Sequence, residues 1–375
     1  MPAARCAPVV IAHDYLTQRG GAERVVMAMT RAFPSAPIVT SVFNPSRTYG
    51  EFSESEVRTT ALQRVPLLAK HHRLGLPLYA PFFSATTVDA QLVLCSTSGW
   101  AHGIQTTGLK ALYVYNTARW VYQPDEYFKG RYAASHALAR PLASPLRRWN
   151  HRAALTADKV WVISRAVQER VWRHWALDSE VLYPPHGADP CGSQEAVKGL
   201  QPGYLLAVTR MLHYKRVDVL LETMRQLPGH QLVVVGDGPE IRRLRASAPR
   251  NCRFLGSVRD EELRWLYANC LGLVSAANED LGLVPLEAMA FGRPVAVLRR
   301  GGFVETVVEE KTGVFFDEPT PDSVAAAVRT LSESRWSTEE LTSWANRFSE
   351  QSFIDRLKAG VRELTGRVEL AREAS

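Results

Sequence analysis

Two carboxylates and two cations carry the sharpest chemical signal in this sequence. In NEDLGLVPLEAMAFGRPVAV (278–297), Glu279 and Glu287 stand with seven residues between them, directly after an apolar run of strand character. Pro285 suits a first helical turn, so the pattern places Glu287 within that turn and faces the free N–H groups of a helix N-terminus toward the strand ends. Such a terminus is an anion site made by backbone geometry. One carboxylate would hold sugar hydroxyls and the other a ribose diol; equally, Glu287 could complement the helix dipole and Glu279 be a loop charge. The run YLLAVTR ends at Arg210, and Lys215 follows five residues later, so two cations fall at the carboxyl end of another strand of the same sheet. Parallel sheets bind ligands at that edge. Charge-assisted donors there suit a diphosphate and the charge growing on a leaving phosphate, the alternative being a solvated loop pair.

Weaker signals lie elsewhere. Gly20 and Gly21, in HDYLTQRGGAERVV (13–26), precede a helix whose N-terminus would also face a ligand edge. Asp14, at the end of the first strand, is a candidate base or acceptor ligand, or else a turn or cap residue. VVVGDGPEIRRL (233–244) has Ile241 where a dinucleotide fingerprint needs its third glycine, which disfavours a nicotinamide site. Five scattered cysteines without a C-x-x-C support neither a zinc site nor a disulfide framework and point to a reducing compartment.

The elements that must position these residues alternate. Strands are expected at 8–13, 37–43, 90–96, 109–115 and 158–164, then at 204–210, 231–236, 252–256, 270–276 and 293–299. Helices are expected between many of them, including 217–227, 239–246, 260–268 and Pro285 to Phe291. This predicts α/β architecture with doubly wound parallel sheets. The Pro- and Gly-rich stretch 181–203 reads as a junction with its boundary near 186–203, giving domains 1–190 and 191–375. The segment 337–368 is helical by pattern and placed to pack back across the junction.

A chain of 375 residues, 46% hydrophobic and 22% charged, suits two globular domains and excludes disorder and fibrous repeats. The longest uncharged apolar stretch, 74–88, contains two prolines and is too short to span a bilayer. Residues 1–190 carry 21 Lys+Arg against 13 Asp+Glu, net +8, which leaves 24 against 25, net −1, for the rest. The acid-balanced second half offers no continuous basic track, so no nucleic-acid partner is expected. Within 128–159, seven basic residues face Asp158 alone, which fits an anionic membrane surface or a lipid diphosphate, or simply a solvated basic helix pair.

Glu279 and Glu287 with E-A-M-A-F-G-x-P-V, the Arg210 and Lys215 pair, the G-D-G-P turn, the Gly-Gly loop and Y-P-P at the junction together resemble retaining family 4 glycosyltransferases of the GT-B fold. The likeness runs over nearly the whole chain, and H-D-Y-L-x-x-x-G-G-A-E-R-V is similar to bacterial mannosyltransferases that build O-antigen and exopolysaccharide. The resemblance implies two tandem Rossmann-like domains, N-terminal for the acceptor and C-terminal for the donor, with the active site in the cleft between them. By position, Glu279 would contact donor sugar hydroxyls and Glu287 the nucleotide ribose. Backbone N–H groups of Leu281, Gly282 and Leu283 would lie near sugar and phosphate, and Arg210 and Lys215 would hold the diphosphate with help from Gly20 and Gly21. Asp14, Tyr115, Arg119 and Trp120 fall on the acceptor side. Tyr115 stands where relatives carry a histidine, so either its hydroxyl keeps a hydrogen bond or His102 fills the space. No metal or other cofactor is implied, since protein cations take that role. The implied donor is GDP-mannose, with UDP-linked sugars open, and the implied acceptor a lipid-linked saccharide. The missing histidine also motivates a non-catalytic sugar-nucleotide-binding scaffold. The implied location is cytoplasmic and peripheral, at the inner face of the membrane through residues 128–159.

Overall fold

The computed structural model describes residues 7–65, 76–122 and 133–373, and their side chains except at 7, 76–77, 120, 133–141 and 367–373. The chain divides into two compact α/β units, Met1–Pro184 with Phe353–Ser375, and Pro185–Ser352. The division precedes the expected 190/191. Leu182 still donates its N–H to Val162 in the first unit at 2.9 Å, whereas His186 donates to Phe348 in the second at 3.0 Å. Pro184 and Pro185, which cannot donate to a ladder, fall between these two attachments.

The first unit contains β1 (Ala7–His13), β2 (Ile38–Thr40), β3 (Val57–Thr59), β4 (Thr87–Val88), β5 (Ala90–Thr97), β6 (Gln105–Thr106), β7 (Leu109–Val114), β8 (Lys159–Val162) and β9 (Glu180–Val181). Seven of these form a parallel sheet in the order β3-β2-β1-β5-β7-β8-β9, and β4 pairs with β6. The second contains β10 (Leu205–Val208), β11 (Leu232–Val235), β12 (Cys252–Gly256), β13 (Gly272–Ser275), β14 (Val295–Leu298) and β15 (Gly313–Phe316), parallel in the order β12-β11-β10-β13-β14-β15. These are Rossmann-like sheets, as the alternation predicts.

Central strands read as unbroken apolar runs because helices cover both faces, and every residue of β11 and β14 is buried. On the second sheet, Val217, Leu220, Leu221 and Met224 of the helix Val217–Arg225 share one core with Val324, Val328 and Leu331 of the helix Pro321–Glu333. Each such side chain contributes about 1.5–3 kcal/mol by leaving water. The pattern did not single out Pro321–Glu333, although Thr320 caps it and Pro321 opens it.

The expected helical segment 337–368 is two helices, Thr338–Asn346 and Glu350–Glu373, and from Phe353 onward the chain belongs to the first unit. There Phe353 meets the Tyr113 ring edge-on at 5.6 Å. Gly360 lies so close that a Cβ would stand 2.6 Å from the Trp161 ring.

Candidate functional site

In the second sheet the strand order reverses at β10, which has β11 on one side and β13 on the other. Crossovers leave these neighbours in opposite directions, so a crevice opens at the carboxyl ends of β10 and β13. Arg210, Lys215 and Glu279 all arrive there. β10 stops at Val208, two residues short of the expected end, so Arg210 stands in the following loop and is exposed. Lys215 closes a 3-10 turn, His213–Lys215, and Arg216 takes a left-handed φ of 52° that redirects the chain into the helix Val217–Arg225. A cleft of about 490 Å³ is lined by Arg210, Lys215 and Glu279 together with Gly236, Asp237 and Ser257.

Lys215 Nζ donates to Glu279 Oε1, with side chains 11% and 25% exposed, and also sits 4.9 Å from the centre of the Tyr214 ring. Among the described residues Arg210 forms no ion pair. The cleft thus holds one compensated pair and one uncompensated guanidinium, an arrangement that attracts an anion while presenting a carboxylate to hydroxyl donors.

Backbone contacts fix Glu279. The Gly302 N–H donates to its carbonyl at 2.8 Å, and a Cβ on Gly302 would fall 2.1 Å from Leu281 Cα. Gly282 adopts φ +84°, and a Cβ there would meet the Phe303 ring at 2.2 Å, so only glycine lets the chain turn into the helix Leu283–Ala290. The first amides of that helix, after Leu281 and Gly282, have no intrahelical acceptor.

This early start corrects one expectation. The helix begins at Leu283 rather than Pro285, because Gly282 supplies the turn, so Glu287 lies in the second turn and not the first. Its Oε2 accepts from the Tyr267 hydroxyl at 2.7 Å and its Oε1 from the Gly187 N–H at 3.4 Å. The G-D-G-P turn has a packing role: Gly236, at φ +119°, lies where a Cβ would stand 2.0 Å from the Thr209 carbonyl oxygen. Met211 also donates to Asp237 O at 2.9 Å. Asp237, Tyr267, Gly301 and Gly302 were not selected from sequence. Paired glycines after a strand, the signal used at Gly20 and Gly21, would have found the last two.

The first sheet reverses at β1, between β2 and β5, and the first-unit candidates cluster at those strand ends. Asp14 is 2% exposed and surrounded by donors. Its Oδ2 accepts from Ser98 N at 2.6 Å, and its Oδ1 from Ala101 N at 2.7 Å, Trp100 N at 3.2 Å and Thr97 Oγ1 at 3.2 Å. Burial raises its pKa from 3.8 to about 6, against the pull of these donors. The carboxylate therefore holds the 98–101 turn. Gly20 caps the helix Gly21–Ala32, and Glu23, in its first turn, is 1% exposed with Oε2 unpartnered among the described residues. Burial pushes the Glu23 pKa from 4.5 to about 7, opposed by hydrogen bonds from its own backbone, Gln18 and Gly20.

Tyr115 donates its hydroxyl to Ala22 O at 3.0 Å and meets Ser96 Oγ at 2.8 Å. His102 is fully buried, with Nδ1 against Thr97 Oγ1 at 3.2 Å and Nε2 against Asn150 O at 3.3 Å, so it is committed to the core. Burial lowers its pKa to about 3. Arg119 opens a short helix, Arg119–Tyr122, and is part-buried; the Trp120 side chain lies outside the described residues. Tyr122 stacks on His174 at 4.2 Å.

Of the basic segment 128–159, residues 128–132 and the side chains to 141 lie outside the described residues. Arg147 donates Nε to Val121 O at 2.9 Å, Lys159 pairs with Glu180, and Arg148 and Arg152 are exposed. No helix among the described residues is long and apolar enough to cross a membrane.

Residues 193–351, which lie within the second unit, match the family model described as "Glycosyl transferases group 1". The chain is 28% identical over 222 residues to a sulfoquinovosyl transferase of Arabidopsis thaliana, covering 54% of this chain and 42% of that protein. It is 30% identical over 202 residues to a GDP-mannose-dependent alpha-(1-6)-phosphatidylinositol monomannoside mannosyltransferase of Mycobacterium tuberculosis, covering 46% and 52%. The chain thus spans about half the length of these curated relatives. Among solved structures, HepE of Anabaena in complex with UDP aligns with TM-score 0.69 at 17% identity, over 95% of this chain and 100% of that one. Sucrose-phosphate synthase of Thermosynechococcus elongatus aligns with TM-score 0.70 at 18% identity, over 96% and 100%. The fold is that of the GT-B glycosyltransferases.

Proposed function

We propose that this chain is a retaining, metal-independent glycosyltransferase that moves a hexosyl group, mannose from GDP-mannose, onto a lipid-linked saccharide in bacterial surface polysaccharide assembly. The observation that carries the reading is the convergence of Arg210, Lys215 and Glu279 on one cleft at the carboxyl ends of β10 and β13. As the bond from sugar to diphosphate lengthens, negative charge grows on the leaving phosphate. Arg210, Lys215 and the amides at the start of the helix Leu283–Ala290 stabilise that charge more than the ground state. Protein cations fill the role a divalent ion plays elsewhere. The acceptor hydroxyl attacks from the face the phosphate leaves, and the phosphate takes its proton. Mannose is supported by the motif around Gly20 and Gly21 and by the mycobacterial relative's donor.

A UDP-sugar donor is the second reading, favoured by the solved relative that carries UDP-glucose at TM-score 0.68. Ser257, which lines the cleft just beyond β12, would help to select the base. Arg148 and Arg152 support peripheral contact with an anionic membrane at its cytoplasmic face. Calorimetric titration with GDP, UDP and NAD, followed by the matching sugar nucleotides, tests the donor. Preference for GDP and GDP-mannose supports the first reading, and preference for UDP transfers the mechanism to the second. Binding of none overturns both.

A further inference from the structure

The hydroxyl of Tyr115 belongs to a hydrogen-bond chain whose direction is fixed by its last acceptor. A carbonyl oxygen only accepts, so the contact with Ala22 O at 3.0 Å consumes the single Tyr115 proton. Ser96 Oγ, 2.8 Å away, must then donate to Tyr115, which consumes the single Ser96 proton. His13 Nδ1 lies 2.9 Å from Ser96 Oγ and 3.1 Å from Ser96 O, and both atoms now only accept, so Nδ1 carries the hydrogen. His13 is 3% exposed, and burial holds its pKa at about 4, which keeps the ring neutral. The chain runs from the end of β1, across β5, to the residue after β7, and terminates on the first turn of the helix that Gly20 caps.

We infer that Tyr115 is a positioning residue, which with Ser96 and His13 clamps the Ala22 carbonyl and so sets the backbone of the Gly20 and Gly21 loop, to which the transferase reading gives a part in donor binding. The buried Glu23 carboxyl packs against the same loop, since a Cβ on Gly20 would stand 2.6 Å from its Oε2. A histidine side chain at position 115 would end in a ring nitrogen well short of a tyrosine hydroxyl, so the tyrosine gives this chain a strut of its own. The functional half of the inference rests on the transferase reading above; the clamp itself does not.

The test compares wild type with Tyr115→Phe and Ser96→Ala, the second leaving the tyrosine ring in place. Amide hydrogen exchange across residues 20–26 is expected to quicken about tenfold in both, with a Tm within a few degrees of wild type. The double variant should be no worse than Tyr115→Phe alone, because one chain is cut twice. Donor KM should rise about tenfold with kcat held within a few-fold. In wild type, ¹⁵N spectra of His13 should show the Nδ1–H tautomer. Unchanged exchange, multiplying effects of the two substitutions or an Nε2–H tautomer overturns the clamp. Quickened exchange with unchanged donor KM in an active enzyme overturns its role in donor binding. Should wild type turn over no nucleotide sugar, the transferase reading falls while the exchange contrast still decides the clamp.

Discussion

Lys215 and Glu279 bond directly although 64 positions separate them, because the loops after β10 and β13 meet where the strand order of the second sheet reverses. On the proposed reading, a donor entering this cleft would meet a cation already aligned by a carboxylate. Lys215→Ala and Glu279→Ala are each expected to lower turnover by about 10²-fold, the usual cost of losing one stabiliser of transition-state charge. The double variant should fall far short of the product of the two, since the groups act as a unit. Initial rates of donor consumption check this, and single-variant rates within a few-fold of wild type would remove both residues from the site.

The glycines around this pair are open to a stability test. At Gly282 an alanine meets both a left-handed φ and the Phe303 ring, and at Gly302 it meets the Leu281 backbone. Backbone cannot step aside as a flexible side chain can, so Gly302→Ala should destabilise by more than the roughly 1–2 kcal/mol of a left-handed alanine alone. Gly229→Ala, where a Cβ meets nothing within 4 Å, is the control and should leave the urea midpoint nearly unchanged. Equal midpoints for all variants would refute the packing account.

Glu23 gives a signed pH dependence. Its folded pKa is raised from 4.5 to about 7, so the folded chain keeps a proton that the unfolded chain releases. That contribution to stability is complete below pH 4.5 and is lost as pH rises through about 7. Asp14, raised to about 6, acts in the same direction, whereas buried His13, lowered to about 4, contributes stability above its ordinary 6.5 that is lost as pH falls through about 4. Both remain in Glu23→Gln, so the difference between variant and wild type isolates Glu23. Denaturant unfolding at pH 5 and pH 8 should show the variant gaining on wild type at the higher pH. A gain at the lower pH instead would reverse the assignment.

For membrane contact the exposed cations matter more than the count. Arg147 is engaged with Val121 and Lys159 with Glu180, which leaves Arg148 and Arg152 facing solvent. Neutralising these two should weaken sedimentation with anionic vesicles, at about 1 kcal/mol for each charge near the surface, while sparing donor hydrolysis. Binding to neutral vesicles should not change. Equal binding of wild type and variant to anionic vesicles would make these arginines ordinary solvated surface.

Alternation of apolar runs with amphipathic segments, which depends only on neighbours along the chain, was enough to predict two parallel α/β sheets and most of their strands. The same local logic reached Arg210, Lys215 and Glu279, because ligands bind where strands end and strand ends show in the pattern. Short edge strands such as β3 and β9 escaped it, since two or three residues carry no periodicity. What only the tertiary structure decided was who meets whom. The placement of Glu287 turned on the left-handed Gly282, and the commitments of Asp14, His102 and Tyr115 on partners brought in from distant turns and helices of the chain. Burial and hydrogen-bond saturation are properties of the packed sheet, so sequence could nominate these residues but not assign their work.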